Sequence, residues 1–291
     1  MIKAPTSHTY FSQRLKLHYL DWGDASAETV LLIHGSQDHC HTWDWTCETL
    51  VGQYRLLVPD LRGHGDSAWA LGSSYSSLDY VYDIHQLVEQ ADLQQVHIVG
   101  HSLGGMIACL YTGLFPERVA SLTSIEGVGA FWQEQWEKED PKARIKDWFG
   151  QARELAGRIP RRYPDLDAAL KRMQESNPHL SKGRAEHLTV HGSYRNEDGT
   201  YTWKFDPYTY TWAPTGLNLD ETTRIWEAIP CPTLLLNATA GLEHRTGQNG
   251  TLKHFRHAEL VEISDAGHWL HHDQFDVYIG ELTSFLAKHA P

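Results

Sequence analysis

Unbroken apolar runs alternate along this chain with stretches whose apolar positions recur every three or four residues. Thr29-Val30-Leu31-Leu32-Ile33 and Leu56-Leu57-Val58 read as strands buried on both faces, the habit of a parallel sheet. Thr42 to Leu50 can form a helix. Leu78 to Ala91 carries Val81, Ile84, Leu87 and Val88 at helical spacing. Val96 to Val99 predicts another buried strand. A helix with Met106, Ile107, Leu110 and Tyr111 follows and stops before Pro116, and Val119 to Ile125 is a further strand. Leu15 to Trp22 alternates only in part, which predicts an early strand at a sheet edge. Strict alternation of strand and helix predicts an α/β fold with a doubly wound, mostly parallel sheet.

The alternation breaks between Phe131 and about Arg224. There the pattern is helical and polar, punctuated by prolines, with one hairpin expected from Tyr194 to Trp203 turning at Asp198-Gly199. It resumes with Pro232 to Leu236, a helix from Gln248 to Phe255, a strand from Glu259 to Ile263 and a last helix from Phe275 to Lys288. Charge steps at the same places. Residues 131–224 hold 15 acidic and 15 basic side chains, so the net charge of −12 comes entirely from the rest. The expected organisation is a core of residues 1–130 and 225–291 interrupted by a mainly helical cap, residues 131–224.

An acidic balance disfavours nucleic acid or an anionic membrane surface as partner. The four cysteines (Cys40, Cys47, Cys109 and Cys231) lack the spacing of a zinc site or a disulfide framework. No apolar run is long enough to span a membrane, and residues 1–20 lack the apolar stretch of a secretory signal, so a cytoplasmic location is expected.

The chemistry concentrates in Val96-His97-Ile98-Val99-Gly100-His101-Ser102-Leu103-Gly104-Gly105. A strand that reverses into a helix within a few residues crowds its own backbone. Glycines two positions before and after Ser102 relieve that crowding and leave the serine strained, with its hydroxyl accessible. This strand–turn–helix context is what a G-x-S-x-G nucleophile elbow requires.

Together with His34-Gly35, Arg62-Gly63-His64-Gly65-Asp66-Ser67 and Gly267-His268-Trp269, in this order, the elbow resembles the α/β-hydrolase superfamily. It looks most like hydrolases with a helical cap after the sixth strand. That resemblance implies Ser102 as nucleophile and His268 as its base, since a serine hydroxyl is too weakly acidic to attack unaided. It implies an oxyanion hole formed by the N–H groups of Leu103 and Ser36. In this superfamily the Arg62–Ser67 loop is structural, so His64 and Asp66 are not read as metal ligands. No cofactor and no metal are implied. His271 and His272 read as a solvated or cap-facing pair.

The third catalytic member departs from the pattern. Where an Asp usually follows the strand ending at Leu236, this chain has Asn237-Ala238-Thr239-Ala240-Gly241-Leu242-Glu243. Glu126, at the end of the preceding strand, is the favoured acid. Glu243 is the alternative, with Asp265 behind it. Trp132 and Trp136 are candidate substrate-binding residues within a cap that also holds Trp148, Trp203, Phe205, Tyr208, Tyr210 and Trp212.

The expected activity is a serine hydrolase cleaving a carboxylic ester, or related acyl bond, of a small to medium apolar molecule through an acyl-enzyme. A C–C bond hydrolase, lactonase, thioesterase or perhydrolase would carry the same triad. A ligand-sensing module acting through a protein partner is the alternative of another class. The oligomeric state is left open.

Overall fold

The computed structural model describes residues 4–72, 75–211 and 214–289; the side chains of Phe131 and Trp132 also lie outside the described set. Along the chain the elements are β1 (Thr6–Ser12), β2 (Leu15–Trp22), β3 (Thr29–Ile33), α1 (Asp44–Leu50), β4 (Arg55–Pro59), α2 (Ser77–Gln90), β5 (Val96–His101), α3 (Leu103–Leu114) and β6 (Val119–Ile125). Then come α4 (Phe131–Lys138), α5 (Pro141–Leu155), α6 (Leu166–Ser176), α7 (Lys182–Gly192), β7 (Ser193–Arg195), β8 (Tyr201–Trp203) and α8 (Leu219–Glu227). The last elements are β9 (Thr233–Ala238), β10 (Ala258–Ile263), α9 (Leu270–Asp273) and α10 (Phe275–Lys288).

Eight strands form one sheet in the order β1-β2-β4-β3-β5-β6-β9-β10. β2 pairs antiparallel with both β1 and β4, and the six strands from β4 to β10 in this order are mutually parallel. This is the α/β-hydrolase architecture, with helices covering both faces. Every residue of β3, β5 and β9 is buried, as their unbroken apolar runs require. Leu31, Ile98 and Leu235 feed one core layer, and Leu32, Val99 and Leu236 the other.

Two expectations change. Leu15–Trp22 is not the sheet edge, because β1 pairs outside it along Thr6 to Ser12. β1 keeps only Tyr10 and Ser12 buried, so its half-solvated sequence carries little apolar signal. The stretch Gln248–Phe255 yields only a 3₁₀ turn, Thr251–His254, because Gly247 and Gly250 sit at φ +85° and +82°.

Parallel pairing brings the carboxyl ends of the strands to one edge. Ile33 lies beside Gly100, His101 beside Ile125, Ile125 beside Leu236 and Ala238 beside Ile263. The loops carrying Ser36, Ser102, Glu126, Glu243 and His268 therefore open together. The segment between β6 and β9 contributes α4 to α8 and the β7–β8 hairpin, where Gly199 turns at φ +85°. Its own core is small: Leu180, Ala185 and Leu188, with Leu170, Met173 and Trp269 packed against them. Tyr75 Oη donates to Asp206 Oδ2 at 2.6 Å and Asp206 N–H to the Gly63 carbonyl at 2.8 Å, fastening this segment to the loop after β4. α8 crosses position 225, with Trp226 in the main core against Phe255, so it packs with the sheet layers. Among the described residues no helix is long and apolar enough to cross a membrane.

Candidate active site

Ser102 sits at φ +54°, ψ −116° between β5 and α3, a strained conformation for a residue with a Cβ. Its backbone is over-determined. Its N–H donates to Ile125 O at 2.9 Å, and its carbonyl accepts from Met106 N and Val128 N at 3.1 and 3.2 Å. The helix can follow so sharply because Gly104 lies against the end of β3, where a Cβ would come within 2.2 Å of the Ile33 carbonyl oxygen. Gly35 approaches from the other side, where a Cβ would sit 3.1 Å from Ser102 Cβ.

Leu103 opens α3, so its N–H has no acceptor within the helix. Ser36 follows β3, and Ser36, Ser102, His101, His268 and Trp269 all line one cavity of about 630 Å³. The loop is braced from below by His34, which accepts from Leu61 N–H at 2.9 Å and donates to the Gly35 carbonyl at 2.7 Å. Burial drops the His34 pKa to about 3, so it is a neutral brace. The neighbouring Arg62–Ser67 loop is anchored by a buried two-pronged pair of Arg62 with Asp83, at 2.6 and 2.7 Å.

His268 follows β10, and its Nδ1 lies 3.2 Å from Glu126 Oε2. Its carbonyl accepts from His101 Nε2 at 2.9 Å, which pins the loop to the residue preceding the serine. A carbonyl only accepts, so His101 carries its proton on Nε2. Burial, with His271 and His268 nearby, keeps that ring neutral. Gly267 N–H donates to Asp273 Oδ2 at 2.9 Å, a second tether on the same loop.

Glu126 is fully buried at φ +48°. A buried carboxylate is tolerable only when its oxygens are satisfied, and here they are. Oε1 accepts from Ala238 N at 2.7 Å and from Arg245 Nη1 at 3.1 Å, and Oε2 accepts from Leu242 N at 2.8 Å. Arg245 also donates to the Ala238 carbonyl. The loop after β9, where the resemblance places the acid, here supplies backbone donors instead. β6 and β9 are neighbours, about 4.8 Å apart, so an acid from either tip can reach the same place. Glu243 points away, with its side chain 89% exposed beside His244. Asp265 is exposed on the far end of the His268 loop.

The aromatic expectations divide. Trp203, Phe205 and Tyr210 line the cavity. Trp136 does not; the Arg144 guanidinium lies 5.2 Å over its ring, away from the cavity. The Trp132 side chain lies outside the described set, and Trp212 lies outside the described residues. Trp148 lines a second cavity with Trp69 and Tyr208. His271 and His272 are buried rather than solvated, at 1% and 4% exposure. His272 does face the segment between β6 and β9, with Arg184 Nη1 donating to its Nδ1 at 3.0 Å.

Several residues were not legible beforehand: Arg245, His101, Asp273, and three arginines on the cavity wall, Arg158, Arg161 and Arg172. His101 occupies a variable position of the elbow itself, and the others stand in no motif. Only the folding of distant segments onto one edge brings those others to the site.

A family model described as the alpha/beta hydrolase fold matches residues 29–275. The chain is 25% identical to a serine hydrolase-like protein of Danio rerio, over 93% of this chain and 85% of that protein. It is 27% identical to an esterase of Mycobacterium tuberculosis, over 88% of this chain and 81% of that protein. The solved thioesterase domain from the curacin biosynthetic pathway superposes with a TM-score of 0.81 at 22% identity, covering 97% of this chain and 100% of that one. From the elbow geometry, the sheet order and the matched length together, the chain belongs to the α/β-hydrolase fold family.

Proposed function

We propose that this protein is a serine hydrolase that cleaves a carboxylic ester through an acyl-enzyme, with Ser102 as nucleophile, His268 as base and Glu126 as acid. The observation that carries the reading is the 3.2 Å approach of a buried, fully bonded carboxylate to His268 Nδ1, beside a serine held at φ +54°. His268 takes the Ser102 proton through its other nitrogen as the hydroxyl attacks the ester carbon. Glu126 holds the ring in the tautomer with its proton on Nδ1 and stabilises the imidazolium that forms. Arg245 Nη1, 3.1 Å from Glu126 Oε1, balances the carboxylate's charge within the core. The tetrahedral oxyanion is met by the N–H groups of Leu103 and Ser36. The alcohol leaves with the proton from His268, and water repeats the cycle on the acyl group.

For the substrate we depart from a purely apolar molecule. Trp203, Phe205, Tyr210 and Met173 supply an apolar wall, while Arg158, Arg161 and Arg172 add positive charge to the same cavity. Among the described residues none of these arginines forms an ion pair. An ester with a mainly apolar body and one anionic group, such as a half-ester of a dicarboxylic acid, fits both features.

The test is steady-state turnover on p-nitrophenyl esters. Multiple turnovers that fall by roughly 10⁴–10⁶-fold in kcat in Ser102→Ala support the reading. A stoichiometric burst without turnover, or activity retained in Ser102→Ala, overturns it.

A further inference from the structure

One cluster of side chains is not used by the chemistry above. His41 lies in the 3₁₀ turn Cys40–Trp43, and Asp44 opens α1 directly after it. His187 and His191 stand one turn apart on α7, across the junction between the sheet core and the segment between β6 and β9. Asp44 Oδ2 lies 2.9 Å from His41 Nδ1 and 3.0 Å from His187 Nε2. The His41 and His191 rings are 3.9 Å apart between centroids, and His187 and His191 are 4.5 Å apart. One nitrogen or oxygen from each of the four residues lies within 4.8 Å of all the others. Asp44 Oδ1 is buried with no hydrogen-bond partner among the described residues.

From this convergence we propose a binding site for a borderline divalent cation, zinc above all, formed by His41, Asp44, His187 and His191. Three imidazoles and one carboxylate are donors that zinc, cobalt and nickel prefer over magnesium or calcium. Tetrahedral zinc with bonds of about 2.0–2.1 Å needs its donors about 3.3 Å apart. Small side-chain rotations therefore close the site, and the backbone need not move. His41 and His187 keep 23% and 27% of their side chains exposed, so an ion can enter from solvent. The ammonium of Lys204, close by, is held at 2.8 Å by Asp66.

Four protein ligands leave no open position, which makes the ion a clamp and not a reagent. It would tie α7 to the loop after β3, the loop that also carries Ser36. Besides the contacts within the cluster, His39 Nε2 already donates to the Leu188 carbonyl at 3.0 Å across the same junction. The proposal is independent of what the enzyme hydrolyses.

The experiment uses tag-free, chelator-treated full-length protein titrated with zinc chloride by calorimetry. One tight equivalent is expected, with a rise of several degrees in Tm on saturation. Asp44→Asn and His191→Gln should each weaken it by more than the ~10–100-fold that losing an outer partner of a metal site costs. Their metal-free Tm values should stay near that of the metal-free parent. His257→Gln, an exposed histidine elsewhere, should leave binding unchanged. A tight equivalent that survives both Asp44→Asn and His191→Gln overturns the site, as does its absence from the parent protein. If either variant unfolds, cobalt chloride added to the parent decides: four-coordinate visible bands support the site, and a six-coordinate spectrum refutes it.

Discussion

The sheet core and the segment between β6 and β9 are built on different terms. In β3, β5 and β9 every residue is buried, and the tips of β5 and β6 present Ser102 and Glu126, each tied down by three or more hydrogen bonds. In α5, by contrast, only Leu155 of fifteen residues is buried, and the segment's own core has three fully buried members. Its arginines reach the cavity from exposed positions. The difference separates two jobs. Groups that act on a transition state must be held within fractions of an ångström, which a fully satisfied core can do. Groups that only select a substrate can sit on a thinly packed layer whose sequence has room to vary.

The contrast can be tested first at its most rigid point. Glu126→Gln should lower kcat by about 10²–10⁴-fold, while Glu243→Gln stays within about two-fold. The same change leaves the Arg245 charge buried and without its anion, so Tm should drop in Glu126→Gln and not in Glu243→Gln. Equal activities, read on one ester with Tm measured alongside, would erase the distinction between a strand-tip acid and a loop acid.

Acid should destabilise the core through its buried histidines. Burial holds His34 near 3, His39 and His64 near 4, and His101, His271 and His272 well below the usual range. In the unfolded chain these rings protonate near pH 6.5. Between about pH 6.5 and 4 the unfolded state therefore binds more protons, and stability falls as pH falls. Asp38, pushed up to about 7 by burial, opposes this, since it is protonated when folded and ionised when unfolded across that window. Six histidines outweigh one aspartate, so Tm should decline steadily from pH 6.5 to 4. A Tm that is flat or rises over that range would show that these rings are not buried as neutral species.

The smallest effect is expected at the cavity wall. The double change Arg158→Ala with Arg172→Ala should raise KM for a p-nitrophenyl half-ester about 3–10-fold, as suits exposed charges. KM for an uncharged ester of the same length should stay put. An equal change for both substrates would mean that the arginines shape the cavity without reading charge.

How far the sequence could be read depended on how local each signal was. The buried runs of β3, β5 and β9 and the elbow around Ser102 are local, because period and glycine spacing express their own backbone requirements. β1 was missed since a half-exposed edge strand needs few apolar residues. Glu126 and Glu243 were both open on sequence grounds, as each lies in a loop at the right edge. What separates them is burial: one is enclosed by Ala238, Leu242 and Arg245, the other faces water. Trp136 and Trp203 looked alike on paper, yet only the second reaches the cavity.

The chain by itself determined the strand–helix alternation and the strained serine, because short-range sterics and hydrophobic period dictate them. Tertiary structure alone decided which carboxylate meets His268, which arginines line the cavity, and that His41 and Asp44 meet His187 and His191. The first and last are pairings between segments more than a hundred residues apart. Sheet register and packing bring them together, and no local pattern encodes either.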